Sequence, residues 1–196
     1  AGFKLDYNTS VDISTVGRLP EFQSEYAQGY ADKWMKGETI YSWGPSIQDL
    51  ENAGELIPTY SPKDFFRTGV SFGNNISIKL PAWGKGYTDI SLGQRKNNSP
   101  IPNSYKEAYN ASLAFKDVHM GNVTAEAGAY FNSSYGRLTQ QGSNIANIMH
   151  SVFTTPPTFD NLNGLGKKDE GAWKNPDGSY RSYFPNWVDN PYALVN

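Results

Sequence analysis

From Phe3 to Ser14 the side chains alternate. Phe3, Leu5, Tyr7, Thr9, Val11 and Ile13 share one parity; Lys4, Asp6, Asn8, Ser10, Asp12 and Ser14 share the other. Successive strand side chains point to opposite faces, so this stretch predicts a strand with one apolar and one polar face. It exceeds the ~5–6 residues usual for a globular strand and reaches the ~9–11 that cross a bilayer. The pattern recurs. Over 66–80, Val70, Phe72, Ile76, Ile78 and Leu80 oppose Ser71, Gly73, Asn75, Ser77 and Lys79, with Asn74 the exception on the apolar parity. Over 87–96, Ile90 and Leu92 oppose Asp89, Ser91, Gly93 and Arg95. Over 107–118, Tyr109, Ala111, Leu113 and Phe115 oppose Asn110, Ser112 and Lys116. Over 122–135, Val123, Ala125, Ala127, Ala129 and Phe131 oppose Thr124, Glu126 and Asn132. No comparable stretch has helical periodicity; the best helix candidate is the short piece Ile145–Val152.

The spacing between these strands adds a second signal. Connections of about fifty, six, ten and three residues separate them in turn, and about sixty residues follow the fifth, against an ordinary ~4–6. Long and short connections alternate, so an up-and-down meander puts every long loop at one end. Outer-membrane barrels have that asymmetry, with short periplasmic turns and long outer loops, whereas a β-sandwich carries loops at both ends. Strand one then runs outward. Trp83, Tyr87 and Phe115 lie near the tight-turn end, where an aromatic girdle would sit. A barrel in lipid needs more than five strands, because an open edge leaves backbone groups unpaired at several kcal/mol each. The chain therefore reads as an interior stretch of something longer; a mature secreted domain is the alternative.

Composition narrows the classes. Seventeen Lys+Arg against 19 Asp+Glu give a net charge of −2, so no polycationic face for nucleic acid is expected. Cysteine is absent, which removes disulfide scaffolds, thiolate zinc sites and cysteine nucleophiles. Aromatics at 14% are too abundant for a disordered tail. No apolar run is long enough for a transmembrane helix, but barrel strands alternate polarity and escape that test.

Candidate chemistry is sparse. His119 falls in a tight turn and His150 in the last long segment, and nothing converges on either as a triad or zinc site would require. Asp6, Asp12, Asp89 and Glu126 share the polar parity; a glycosidase pair among them is possible, but scattered acids facing a wet interior account for them better. Asp160, Asp169, Glu170, Asp177 and Asp189 populate the last loop without EF-hand spacing. Asn175-Pro-Asp-Gly178 is a turn signal, and Gly164-Leu-Gly166 lacks the context of a phosphate loop. Asn-x-Ser/Thr triplets begin at Asn8, Asn75, Asn97, Asn110, Asn122 and Asn132, mostly on strands, where a glycan is hard to place. Aromatics of the long loops, including Tyr26, Tyr30, Trp34, Tyr41, Trp43, Tyr60, Trp173, Tyr180, Tyr183, Trp187 and Tyr192, either stack on sugar rings or pack the loops together; packing is the reading preferred. No catalytic, cofactor-binding or metal-binding residue is assigned, and substrate-binding residues are not identifiable.

Four runs occur in order: Leu19-Pro-Glu-Phe-Gln-Ser-Glu-Tyr-Ala-Gln-Gly29, Ser42-Trp-Gly-Pro45, Asp64-Phe-Phe-Arg-Thr-Gly69 and Pro102-Asn-Ser104. Together they resemble the start of the barrel in SusC/RagA-like TonB-dependent outer-membrane transporters of Bacteroidota, over nearly the whole chain. Ala27 stands where that family often has Gly, and Ala193 follows Asn190-Pro-Tyr192 where it tends to have Trp. The resemblance implies an all-β fold: 1–196 as part of a large plugged barrel of ~22 strands. About five antiparallel strands come from this chain, with outer loops 16–63 and 136–196. The second strand would open on the Phe-Phe run. The plug, the TonB-contacting segment and the other strands would lie outside the chain. It further implies a non-enzymatic wall and vestibule segment of a nutrient importer in the bacterial outer membrane, taking oligosaccharides or peptides. Its partners would be membrane lipid, the rest of the barrel, the TonB complex and a SusD-like surface lipoprotein, with no cofactor. A secreted carbohydrate-binding β-sandwich is the rival reading; a glycoside hydrolase fragment using Asp6 or Glu126 is a third.

Overall fold

The computed structural model describes residues 2–139, 147–166, 169–185 and 187–196. In chain order its elements are β1 Lys4–Ser14, β2 Gly29–Tyr30, β3 Lys33–Trp34, α1 Ile47–Asn52, α2 Pro62–Phe65, β4 Gly69–Pro81, β5 Tyr87–Asn98, β6 Tyr105–Met120, β7 Val123–Arg137, α3 Ile148–Thr154, α4 Glu170–Trp173 and α5 Pro191–Val195. The chain divides into two compact units. One comprises 1–14, 68–100 and 104–138; the other comprises 15–67, 101–103 and 139–196.

The first unit is a five-stranded sheet of order β1-β4-β5-β6-β7. Every neighbouring pair is antiparallel, so the strands form an up-and-down meander. Each expected strand is present, four of them longer than the periodicity alone delimits at one or both ends. The sheet is open: β1 and β7 each have one ladder partner among the described residues. The turns at one end are tight. Gly84 (φ 69°) makes the 82–86 turn, where the Ala82 N–H donates to Gly86 O, and Gly121 (φ 64°) turns β6 into β7. Before that turn β6 carries a bulge between Phe115 and Val118, with Asp117 at φ 53°. A bulge shifts parity by the extra residue, which returns Val118 and Met120 to the apolar face opposite Ala125 and Val123.

The two connections at the other end and the segment after β7 build the second unit. Its core consists of Phe65, Ile148, Val152, Ala172, Trp173, Tyr192 and Val195. Short helices supply it, and caps define them. Ser46 accepts from the Asp49 N–H on α1, Asn147 from the Met149 N–H on α3, and Asn190 from the Tyr192 N–H on α5, where Pro191 occupies the first turn. Of the helix expected at 145–152, α3 covers the later part, and 145–146 lie outside the described residues. The other four helices lack the length to show a period.

One expected boundary is wrong. The Phe-Phe run does not open the second strand. Pro62–Phe65 is helical, β4 begins at Gly69, and Phe65 is fully buried in the loop core. Two adjacent aromatics read as strand from propensity, but a proline at the first helical position and a buried core pocket decide otherwise.

Candidate functional site

The register assigns each sheet side chain to a face. On the apolar face one cross-strand row is Leu5, Ile78, Ile90, Leu113 and Ala129, and the next is Tyr7, Ile76, Leu92, Ala111 and Phe131. Toward the loop end a third row is Thr9, Asn74, Gln94, Tyr109 and Ser133, and a fourth is Val11, Phe72, Lys96, Glu107 and Tyr135. Leu5 is 52% exposed, Phe72 48% and Leu113 38%. Among the described residues the buried apolar side chains, from Ala27 to Val195, all belong to the second unit. The sheet thus has an apolar face that is not a core.

That apolar band slants. In β1 and β4 it reaches Val11–Ile13 and Val70–Phe72 at the loop end. In β5, β6 and β7 the matching positions hold Lys96, Glu107 and Tyr135, and the apolar positions extend instead to Val118, Met120, Val123 and Ala125 at the turn end. Lys96 is ion-paired with Glu107, whose carboxylate also accepts from the Tyr135 hydroxyl at 2.6 Å and the Tyr109 hydroxyl at 3.1 Å. Nearby, the Tyr7 hydroxyl donates to Asn74 Oδ1 at 2.9 Å. The polar patch on this face is therefore a hydrogen-bonded cluster of tyrosines and one ion pair at its loop-side margin.

The opposite face is mostly polar, with Ala108, Ala114 and Tyr130 among its exceptions. One row reads Asn8, Asn75, Gly93, Asn110 and Asn132. The amides of Asn75 and Asn110 lie over Gly93, where a Cβ would meet both oxygens. A groove of about 270 Å³ runs here, walled by Tyr130 and Arg95. Four of the six Asn-x-Ser/Thr triplets start in this row. Two polar-face positions flank one apolar-face position in any such strand, so the triplets are a by-product of alternation.

The candidate acids are mostly engaged. Asp6 pairs with Lys4 at 2.8 Å, Asp12 with Arg95 at 3.3 Å and Asp89 with Lys79 at 4.0 Å. Asp6 and Glu126 sit on the two edge strands, four strand steps or roughly 19 Å apart along the sheet, well beyond the ~5–9.5 Å of a glycosidase pair. In the last loop, Asp160 accepts from the Leu162 and Gly164 N–H groups, Asp169 from Gly171, and Asp177 from Ser179. These acids are turn formers. The Ser179 hydroxyl and N–H hold the Asp177 carboxyl below its usual range. The 175–178 turn is present, with Gly178 at φ 85° and its N–H donating to Asn175 O. His119 Nδ1 lies 3.4 Å from the Thr124 hydroxyl, and His150 is on α3. Among the described residues no three His, Asp or Glu side chains gather as metal ligands do.

The short runs that carry the family resemblance are packing devices. Ala27 is fully buried; its N–H donates to Pro45 O and its carbonyl accepts from the Gly44 N–H, while Gly29 and Trp43 bond likewise. The Tyr-Ala-Gln-Gly and Ser-Trp-Gly-Pro runs are thus two backbones in contact. Gln28 is a hub. Its side chain donates to Thr39 O and Tyr183 O and accepts from the Gly37 N–H, and its own N–H donates to the Thr158 hydroxyl. Phe65 meets Tyr192 at 5.3 Å between centroids. Asn103, at φ 55°, donates to Val195 O at 2.9 Å. No sequence signal marks Gln28 as a hub, because two of its partners, Thr158 and Tyr183, lie 130 and 155 positions along the chain.

The loop aromatics divide. Trp173, Tyr183 and Tyr192 are buried, whereas Trp43, Trp187 and Tyr30 are exposed. A cleft of about 540 Å³ is lined by Ile40, His150, Thr154, Tyr183, Phe184, Trp187 and Val188, with Phe184 stacked on Trp187. Burial drives the Tyr60 phenol upward, with Tyr192 and Asp64 adding to it, and pushes Tyr192 up to about 12. The sequence matches no protein-family model and no curated protein.

Proposed function

We propose that this chain forms part of the wall and outer vestibule of an outer-membrane active transporter of the SusC/RagA-like, TonB-dependent kind. It binds and passes nutrient without bond chemistry. The observation that carries this is the sheet's slanted, half-exposed apolar face opposite a mostly polar one. Strands tilted ~45° and ~4.8 Å apart cross a level slab about one and a half residues later at each step, or about three rows over four steps. The drift toward the turn end is of that size. A tyrosine-rich margin at the loop end fits an interfacial girdle, and two connections and the segment after β7 gathered into one ordered unit fit outer loops. On this reading the asparagine row lines the wet interior, and β1 and β7 pair with further strands of the barrel. The nutrient is an oligosaccharide or peptide, and a SusD-like lipoprotein meets the loop unit.

The carbohydrate-binding β-sandwich needs a second sheet over Leu5, Ile90 and Leu113, and the only other sheet among the described residues is the β2–β3 ribbon. That weighs against it. The absence of native cysteine permits a clean test. Single cysteines at Leu92 and Phe131, and at Ser91 and Asn132, are probed in outer-membrane vesicles with a water-soluble maleimide. Labelling at 91 and 132 but at 92 and 131 only after detergent is the expected outcome. Equal labelling of both parities in intact vesicles rejects the proposal.

A further inference from the structure

A second cavity of about 290 Å³ is lined by residues of the loop unit alone and shares none of them with the aromatic cleft. Its walls include Trp34, Leu56 and Phe159, with Lys36 and Arg181 as the cations. The Arg181 guanidinium is positioned twice: Nε donates to Asp160 O at 2.7 Å, and the group lies 5.0 Å from the Phe159 ring centroid. Its two terminal nitrogens make no hydrogen bond among the described residues. The Lys36 ammonium sits 3.6 Å from the Trp34 ring centroid and 3.6 Å from Glu55. The Asp160 carboxylate, also at the cavity, is spent on the Leu162 and Gly164 N–H groups. Gln28 holds the segments at 37–39, 158 and 183 around the cavity through buried hydrogen bonds, so these walls form a rigid frame.

We infer that this cavity binds a carboxylate carried on a ring-sized solute, of which a hexuronate is the chemical type. A guanidinium fixed through Nε and by stacking presents its two free N–H groups as a fork, the geometry that matches a carboxylate. The Trp34, Phe159 and Leu56 side chains add apolar wall for C–H groups of the solute, and the volume is near the lower end of small-molecule sites. Lys36 adds a second positive charge that trades its exposed contact with Glu55 for the ligand. The site lies in the loop unit alone, so it stands or falls independently of whether the sheet faces lipid.

Titration calorimetry on the whole chain in detergent micelles tests it with D-galacturonate against D-galactose, which differ only in carboxylate against hydroxymethyl. Galacturonate is expected to bind at least tenfold tighter, and added salt should weaken it. Arg181→Lys keeps the charge but loses the fork, and is expected to cost about tenfold. Lys36→Met removes an exposed ammonium without touching the frame and is expected to weaken galacturonate severalfold, which keeps the test decisive if Arg181 variants unfold. N-acetylalanine binding as tightly as galacturonate would support the carboxylate site and assign its source to peptides. Equal affinity for galacturonate and galactose, no detectable binding of galacturonate and N-acetylalanine, or native affinity in both Arg181→Lys and Lys36→Met would overturn the inference.

Discussion

At the scale of single residues, two glycines show how neighbours set a cost. Gly29 has φ 153°, and a Cβ there would run into the Lys33 carbonyl and approach Gly44 Cα to 3.0 Å. Backbone cannot step aside, so Gly29→Ala is expected to destabilise the loop unit by about 2 kcal/mol or more. A Cβ at Gly93 meets only the ends of the Asn110 and Asn75 side chains. Those rotate, so Gly93→Ala should stay within about 1 kcal/mol. Urea unfolding of the detergent-solubilised chain, followed by tryptophan emission, ranks the two; equal costs would contradict the geometry. The buried tyrosines tie loop stability to pH. Burial keeps Tyr192 and Tyr60 neutral in the folded unit beyond the ordinary phenol range. A raised folded value means the unfolded chain ionises first, near pH 10. The stabilisation is therefore complete below pH 10 and is lost as pH climbs toward about 12 and above. Melting temperature is expected to fall over that window, and to fall less in Tyr192→Phe. From sequence these roles were not legible: Tyr192 and exposed Trp187 belong to one compositional class, and burial separates them.

At the scale of elements, alternation foretold the five strands and the faces of the side chains up to the β6 bulge, because a two-residue period is local information. It also supplies the contrast for the next test. Leu92 and Ser91 are adjacent on β5 but point to opposite faces. If the apolar face meets hydrocarbon, Leu92→Arg costs about 2–4 kcal/mol near the bilayer middle, and Ser91→Arg far less. Assembly yield in outer membranes, read as the fraction resisting SDS before heating, should drop for the first alone. Equal yields would argue for two solvated faces. The bulge at Phe115/Val118 and the helical Pro62–Phe65 escaped the sequence reading for a shared reason. Each breaks the period for only a few residues, fewer than a pattern needs to be recognised. The resemblance motifs behave differently again. They were visible as runs, but their physical work, one backbone seated on another at Ala27–Pro45 and Phe65 against Tyr192, needed the partner segment's position.

At the scale of the whole molecule, the proposal makes the chain dependent on an apolar environment. With Leu5, Phe72 and Leu113 half exposed, it is expected to self-associate when detergent is removed below its critical micelle concentration, and sedimentation velocity reads this directly. A cooperatively folded monomer in plain buffer would remove the membrane reading. The chain's own order of residues determined the strand periods, the alternation of long and short connections, and the absence of cysteine with only two histidines, since each depends on near neighbours or on counts. Only tertiary structure decided which acids are paired, that Asp6 and Glu126 lie on opposite edge strands, that the apolar band slants across the register, and that Gln28 and Arg181 frame a cavity. Apart from the local Lys4–Asp6 pair, those facts join residues ten or more positions apart, and pairing and folding of the chain alone bring them together.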